Sequence, residues 1–260
     1  MSGTLMLHRG AREVPRDYLA AVPTPPAERR WVPIPHHRFV DSVNNSLRSA
    51  GFTVERERYA LSREDARLFG VLDLAVEVSP EVKLTVGLRS SLDQSYPLGF
   101  CAGHRVFVCD NLSFSAELMA KRKHTALGLS RFQADIGQCV AKLPEFVLAE
   151  RSRIQRMQRR EVTDTEAESL ILKAMYDHQL VSHRLAPKLI EAWREAPFPE
   201  FEARNAWSLF NAFTLVMAAQ QSNPQKHARN TMALQSLVSG FIGLDSPDVI
   251  DVTPQFNPLD

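Results

Sequence analysis

The first clear pattern of hydrophobic positions along the chain has helical spacing. Phe39, Val43 and Leu47 recur every four residues, which places their side chains on one face of a helix. We therefore predict a helix over residues 36–50. Residues 1–35 are instead rich in proline and arginine, and proline denies the backbone helical hydrogen bonds and favours extended backbone before it. The sequence predicts an extended arm in that segment.

Beyond residue 52 the period of the pattern changes from about four residues to two. Apolar residues alternate with others over residues 72–78 and again over 84–88, which is typical of strands with one buried face. We predict two strands there, joined near residues 79–81, and a further strand over residues 103–109. Strands joined by such short connections pair as antiparallel neighbours, so the pattern indicates a mainly antiparallel sheet.

The second half of the chain shows helical segments and no convincing alternation. Thr163 and Glu166 have the spacing of a capping box, in which two side chains satisfy free backbone N–H groups at the start of a helix. The predicted helices cover residues 164–178, 186–196, 206–220 and 226–239. Together the patterns predict an α+β fold, with a mainly antiparallel sheet flanked by helices and followed by an α-helical C-terminal domain.

Charge is distributed unevenly over the predicted pieces, which are an arm (1–35), an α+β domain with a basic C-terminal helix (36–160) and an acidic α-helical domain (161–260). The 260 residues carry a net charge of +1, which excludes general electrostatic attraction to nucleic acid or acidic lipid. Residues 118–160, however, hold ten basic and three acidic side chains, whereas residues 161–260 hold seven and thirteen. Any basic binding site must therefore be local.

The basic segment predicts a nucleic-acid-binding surface, because several lysines and arginines on one surface can neutralise phosphates. Arginines spaced three and four residues apart would align along one helix face. The candidate contacts are Lys121, Arg122, Lys123, Arg151, Arg153, Arg156 and Arg160, and Phe114 and Phe132 could stack on unpaired bases. In the alternative interpretation the two phenylalanines belong to the core and the arginines form a solvated helix paired with the acidic half.

Two ordered motifs resemble a known family. The first comprises residues 88–95, a strand ending in a serine-rich turn, and residues 103–112, a strand ending in Cys109-Asp110-Asn111; the second comprises residues 205–214. Together they resemble the phage/plasmid-like protein family, catalogued as a domain of unknown function (nine hundred and thirty-two in that series). The resemblance covers roughly residues 31–237 and implies an association with mobile DNA, but no activity. In this sequence Leu92 stands where the family pattern has histidine.

A coarser likeness concerns the order of elements. A helix, about three antiparallel strands and a returning helix resemble the core of strand-annealing recombination proteins, which bind single-stranded DNA along a basic groove. This is an analogy at the level of the fold. With the basic segment, it leads us to expect a non-enzymatic protein of phage/plasmid-type DNA metabolism that binds or anneals single strands and forms a homo-oligomer.

Two other functions remain open. An enzyme could use Asp93, His104, Cys109 and Asn111, because a histidine-activated cysteine is a nucleophile; an uninterrupted strand, however, would point His104 and Cys109 to opposite faces. A protein-interaction module would use the helical half, acting on a host factor. The turn residues Ser90, Ser91, Asp93 and Asn111 either hold a ligand or, as we favour, bond to nearby backbone.

Cofactors and metals are not expected from the motifs. Phosphate-cradling glycine loops are absent from the sequence, and Cys101, His104 and Cys109 supply three ligands where a structural zinc site needs four. Three cysteines cannot pair completely, and residues 1–7 lack the apolar run of a secretory signal. We therefore expect a protein of the reducing cytoplasm, with no membrane partner.

Overall fold

The computed structural model describes residues 11–106, 111–218, 224–244 and 250–251. Its centre is a seven-stranded sheet in which each strand neighbours the next in sequence. Strands β1 to β6 are antiparallel, and β7 joins β6 in parallel. The strands are β1 (Arg12–Val14), β2 (Val54–Ser62), β3 (Arg67–Ser79), β4 (Val82–Ser91), β5 (Leu98–Val106), β6 (Asn111–Arg122) and β7 (Ile250–Asp251).

Seven α-helices accompany the sheet in the part of the chain that is described. They are α1 (Tyr18–Ala21), α2 (His36–Ser49), α3 (Gly128–Arg159), α4 (Asp164–Tyr176), α5 (Ala186–Arg194), α6 (Ala206–Ala218) and α7 (Pro224–Phe241), with a 3₁₀ turn at Pro199–Phe201. The predicted α+β class is confirmed. The capping box is also present, because the Thr163 hydroxyl accepts from the Glu166 N–H and the Glu166 carboxylate accepts from the Thr163 N–H.

The predicted elements differ from the observed ones in several places. Strands β2 and β6 were not anticipated, and the strand predicted over 103–109 is the end of β5, which begins at Leu98; residues 107–109 lie outside the described residues. The N-terminal segment is not simply extended, since β1 pairs with β2 and α1 follows it. Leu19, Val22 and Ile34 from this segment are buried in the core, so apolar side chains fasten the proline-rich chain to the domain.

The two faces of the sheet have different surroundings. One face carries Leu72, Leu84 and Phe100 and belongs to the main core, which includes side chains of α2, α3 and α6. Helix α6 contributes buried residues around nearly its whole circumference, as expected of an apolar helix inside a core. Because the main core includes residues from both sides of position 160, the predicted α+β and helical domains share one core.

The opposite face, which we call the open face, has a smaller apolar cluster. Ala60, Val71, Leu112 and Phe114 form it, and Ala228 and Met232 of α7 pack against it. Phe114 is thus buried here, and Phe132 is buried in the main core against Phe39, with ring centres 5.3 Å apart. The interpretation of Phe114 and Phe132 as core is confirmed, and neither ring is available to stack on bases.

The ends of the strands, with the turns that join them, lie at two opposite edges of the sheet. The turns after β2 and β4 and the end of β6 lie at one edge, which we call the Asp93 edge. The turn between β3 and β4 lies at the other, the Pro80 edge. Helix α3 starts after β6 and ends near the Pro80 edge, where the Arg151 guanidinium donates to the carbonyls of Glu77 and Val78.

Candidate nucleic-acid interface

The arginines at the end of α3 are largely occupied by contacts within the chain. The Arg153 side chain is only 5% exposed and forms an ion pair with Glu150, which is fully buried. The prediction that Arg153 joins an exposed stripe is therefore wrong. The cause is packing: α6 and α7 cover this face of α3, and Gln235 of α7 donates to the same Glu150 carboxylate at 3.1 Å.

Two further arginines of this group are also engaged. Arg151 donates to two backbone carbonyls, at 3.0 and 3.1 Å. Arg160 forms an ion pair with Glu166 at 2.5 Å, and its guanidinium lies 5.1 Å from the centre of the Phe241 ring. Arg156 is exposed. The expected alternative, pairing with the acidic half of the chain, is thus observed for Arg160.

The lysine-rich cluster at the end of β6 lies far from these arginines. Arg122 forms a two-pronged ion pair with Asp135 at 2.5 and 3.0 Å, while Lys121 and Lys123 are exposed. At about 1.5 Å per helical residue, the start of α3 and Arg151 are roughly 35 Å apart. The seven predicted contacts therefore do not form one continuous track, because the long helix holds the two groups at opposite edges of the sheet.

The structure instead places Lys121 beside Arg89 on the open face. Arg89 in β4 is paired with Gly99 in β5, which is paired with Lys121 in β6. The Arg89 side chain lies across Gly99, because a Cβ built on Gly99 would be 2.8 Å from the Arg89 Cγ and 2.9 Å from its Nε. The missing side chain at Gly99 therefore leaves room for Arg89 to extend between strands.

Aromatic rings flank these two cations. The Arg89 guanidinium carbon lies 5.7 Å from the centre of the Tyr96 ring, and Phe69 in β3 is the register partner of Arg89 on the other side. Phe69 and Tyr96 are each partly exposed. Burial raises the pKa of the Tyr96 hydroxyl, which therefore remains protonated at neutral pH. We call Phe69, Arg89, Tyr96 and Lys121 the Arg89 patch.

Four other cations of the open face are matched with carboxylates. Arg58 pairs with Glu13, Arg67 with Asp93, Lys83 with Glu55 and Arg105 with Asp73. By contrast, no carboxylate within the described ranges forms an ion pair with Arg89 or Lys121. These two positive charges therefore remain uncompensated at short range, whereas most of their neighbours do not.

The serine-rich turn next to the patch has its hydrogen bonds satisfied locally. The Ser91 hydroxyl donates to the Tyr96 carbonyl at 2.9 Å and accepts from the Tyr96 N–H at 3.0 Å. Asp93 accepts from the Ser95 N–H at 3.1 Å and from Arg67 at 2.6 Å. Burial raises the pKa of Asp93, but the bonds from Ser95 and Arg67 outweigh it and leave the pKa below its usual value. This turn fixes Tyr96 beside Arg89.

The remaining two residues of the predicted turn site have other positions. Ser90 is fully buried on the opposite face of β4. Asn111 begins strand β6, and the chain after it continues as a strand to Arg122. Ser90 and Asn111 therefore do not join Ser91 and Asp93 in one site.

The alternative catalytic group is not assembled among the described residues. His104 is six residues along β5 from Leu98, so it lies about 20 Å from the Asp93 edge. Its Nδ1 is 2.8 Å from Glu150 Oε1, and the rings of Trp207 and Phe210 cover it at 5.9 and 6.1 Å. Cys109 lies outside the described residues. His104 is thus sealed in the core, away from Asp93.

The Glu150 carboxylate at the centre of this buried group remains ionised. Burial raises its pKa, but Arg153, His104 and Gln235 more than offset the burial and bring the pKa below its usual value. The network joins β5, α3 and α7. Its role is therefore the positioning of these elements against one another.

The cysteine and histidine positions of β5 do not converge on one metal site. Cys101 projects from the open face and His104 from the covered face, since they are an odd number of residues apart in β5. Nδ1 of His124 accepts from the Ile34 N–H at 3.0 Å. In the described ranges, no group of three or more histidine, cysteine or acidic residues could hold a metal ion.

Comparison of the chain with family models, curated proteins and solved structures gives no match. The resemblance to the phage/plasmid-like family therefore stays a prediction. Within the described residues, none of the helices has both the length and the apolar character needed to cross a membrane.

Proposed function

We propose that the protein binds single-stranded nucleic acid, with DNA favoured, on the Arg89 patch and without catalysing a reaction. The observation that carries the proposal is the pair Arg89 and Lys121, adjacent across Gly99 and free of carboxylate partners among the described residues. Uncompensated cations release counterions when they meet phosphates, which supplies the main part of nucleic-acid affinity.

Single strands fit this surface better than duplexes because the patch contains exposed aromatic area. Bases of a single strand are free to stack on aromatic rings, and this contact tolerates any sequence. From Phe69 to Lys121 the patch spans four neighbouring strands, or about 14 Å at the usual strand spacing. Phe69 and Tyr96 would receive bases while Arg89 and Lys121 contact the phosphates between them.

The broader role that we propose, in phage/plasmid-type DNA metabolism with strand annealing by a homo-oligomer, is supported only by the sequence resemblance and the fold-level analogy. A reducing cytoplasm is the proposed location, and it is compatible with Cys101 and Cys139, neither of which is in a disulfide. The enzyme interpretation has no comparable support, since His104 is sealed behind Trp207 and Phe210.

A salt titration of binding to a fluorescent oligothymidine tests the proposal. We expect the double variant Arg89→Glu/Lys121→Glu to lose affinity by roughly tenfold or more and to lower the slope of log K against log salt by about 1.4, because two phosphate contacts disappear. The unmodified protein should bind a duplex of equal length more weakly than the single strand.

The matched control is Arg156→Glu/Arg159→Glu, which makes the same charge change at two exposed positions at the end of α3. It should alter affinity by less than about threefold, through long-range electrostatics alone. Equal losses in the two double variants would show that net charge, and not the patch, controls binding. Undetectable binding by the unmodified protein at low salt would overturn the proposal.

A further inference from the structure

A cavity of about 350 Å³ lies at the Pro80 edge, at the opposite end of the sheet from the Asp93 edge. It is bounded by the turn between β3 and β4, the end of α3 and the chain leading into α6. Val82 and Val106 form an apolar wall, and Phe201 and Trp207 contribute aromatic rings. Its volume is near the lower end of the range for small-molecule sites, which is about 300–1,000 Å³.

The aromatic walls are held in place by their neighbours. Trp207 stacks on Phe210, with ring centres 5.7 Å apart and planes 8° apart. Phe201 meets Phe198 edge to face at 6.0 Å. A ligand would therefore meet preformed walls, which lowers the entropic cost of binding.

The charged side chains that line the cavity are both acidic. Glu81 and Glu200 line it and are exposed, and none of the described lining residues is basic. Arg151, the nearby cation on α3, is held by the carbonyls of Glu77 and Val78. The carboxylates therefore have no lining cation to neutralise them.

The amide of Asn205 is already committed. It donates to the Gln158 carbonyl at 3.0 Å and accepts from the Ser208 N–H at 2.9 Å. Among the lining amides this leaves that of Gln158 to a neutral hydrogen-bonding ligand, whereas an anion would be repelled by Glu81 and Glu200. A cation would meet both carboxylates beside the aromatic side chains of Phe201 and Trp207, and carboxylates together with aromatic rings bind ammonium and guanidinium groups.

We propose that this cavity binds a small organic cation bearing a guanidinium or ammonium group, either free or as a side chain of a peptide. The hydrophobic part of the ligand contacts Val82 and Val106, and the charged end lies between Glu81 and Glu200 at the mouth. This proposal is independent of nucleic-acid binding at the Arg89 patch, because the two sites lie at opposite edges of the sheet.

The test is a titration of the full-length, isotope-labelled protein with agmatine, followed through the indole N–H signals of its three tryptophans. Trp207→Phe assigns the signal of Trp207. We expect agmatine to shift this signal selectively at concentrations up to about 10 mM, which corresponds to weak binding. The uncharged n-butylurea and the anion succinate should not shift it.

Glu81→Gln/Glu200→Gln should weaken agmatine binding at least tenfold, whereas the matched control Glu191→Gln/Glu195→Gln, at exposed positions in the last turn of α5 and just after it, should leave it unchanged. The blocked peptide Gly-Arg-Gly separates the two sources of the cation: tighter binding than agmatine indicates a side chain of a partner, and weaker binding indicates a free ligand. Absence of a selective shift, equal binding of n-butylurea, or retained affinity in the Glu81/Glu200 variant would overturn the proposal.

Discussion

The end of α3 and the Arg89 patch are both rich in cations, but carboxylates of the chain pair with two arginines at the end of α3 and, among the described residues, with neither cation of the patch. Arg153 and Arg160 face carboxylates three and six residues away in sequence, whereas Arg89 and Lys121 are neighbours through the sheet and have Gly99 between them. The number of basic residues in a segment therefore does not measure its exposed charge. What decides is whether the local geometry brings an acid within reach.

The largest effect that we expect tests the buried pair on α3. Arg153→Met should lower the free energy of unfolding by about 3–5 kcal/mol, because Glu150 would remain in the core without the arginine that offsets its charge. Urea denaturation measures this. Arg156→Met, at an exposed position of the same helix, should change stability by less than about 0.5 kcal/mol.

Adding Glu150→Gln to Arg153→Met should restore part of the lost stability, since the unpaired charge is then removed. A loss of less than about 1 kcal/mol in Arg153→Met would contradict the burial of the pair. Such a result would mean that Arg153 is not held by Glu150 and is available to a ligand.

The next largest effect that we expect is a loss of stability in acid, caused by the buried histidines His36 and His124. Burial lowers the pKa of His36 to about 4, and burial together with nearby His36 lowers that of His124 to about 4. These histidines bind protons more readily in the unfolded chain than in the folded one. Their contribution to the free energy of unfolding is therefore complete above pH 6.5 and is lost as the pH falls towards 4. Each accounts for about 3 kcal/mol at most.

Urea denaturation at pH 7 and pH 4.5 checks this dependence. His36→Gln should flatten the decrease, although it also alters the bond between the His36 Nε2 and the Asp65 carbonyl. His183→Gln, at an exposed position, should leave the pH dependence as it is. An unchanged slope in His36→Gln would mean that other groups govern acid sensitivity.

A smaller effect tests the aromatic part of the patch. Phe69→Leu should weaken binding to oligothymidine by about 1–2 kcal/mol, because a stacking surface is lost while an apolar side chain remains against Phe114. Phe69→Tyr should bind nearly as well as the unmodified protein. If leucine and tyrosine behave alike in fluorescence anisotropy, the patch acts through charge alone.

The smallest effect lies in the acidic half. Thr163→Ala should reduce stability by about 1 kcal/mol through loss of the helix cap and leave nucleic-acid affinity unchanged. The Thr163 N–H, followed by Arg160, lowers the pKa of Glu166 to about 2, so this carboxylate remains charged over the working pH range. A gain in affinity in Thr163→Ala would show that the Glu166 region restrains binding.

Local signals in the sequence were sufficient for many elements but not for the interface. The capping box at Thr163 and the helix beginning at His36 depend on contacts within a few residues, and both are observed. The patch depends on Gly99 of β5 lying between Arg89 and Lys121, which are 32 residues apart in the chain. A shift of register in β6 between Phe114 and Met119 further separates sequence position from neighbourhood.

One signal did point to the open face. Thr85, Gly87 and Arg89 alternate with the apolar residues of β4, so their side chains share the face opposite the main core. The burial of Arg153 had no such signal. It depends on α6 and α7 covering α3, which are contacts between elements far apart in the chain.

The packing of Phe114 on the open face restricts how this sheet can diverge. A Cβ on Gly87 would lie 2.5 Å from the Phe114 ring, and one on Gly103 would collide with the Ser113 carbonyl as well as the ring. Neither glycine can therefore acquire a side chain while Phe114 and its strand stay where they are. Related sequences should change these three positions in concert, so that covariation at Gly87, Gly103 and Phe114 would identify descendants of the same sheet even after the surface charges have been replaced.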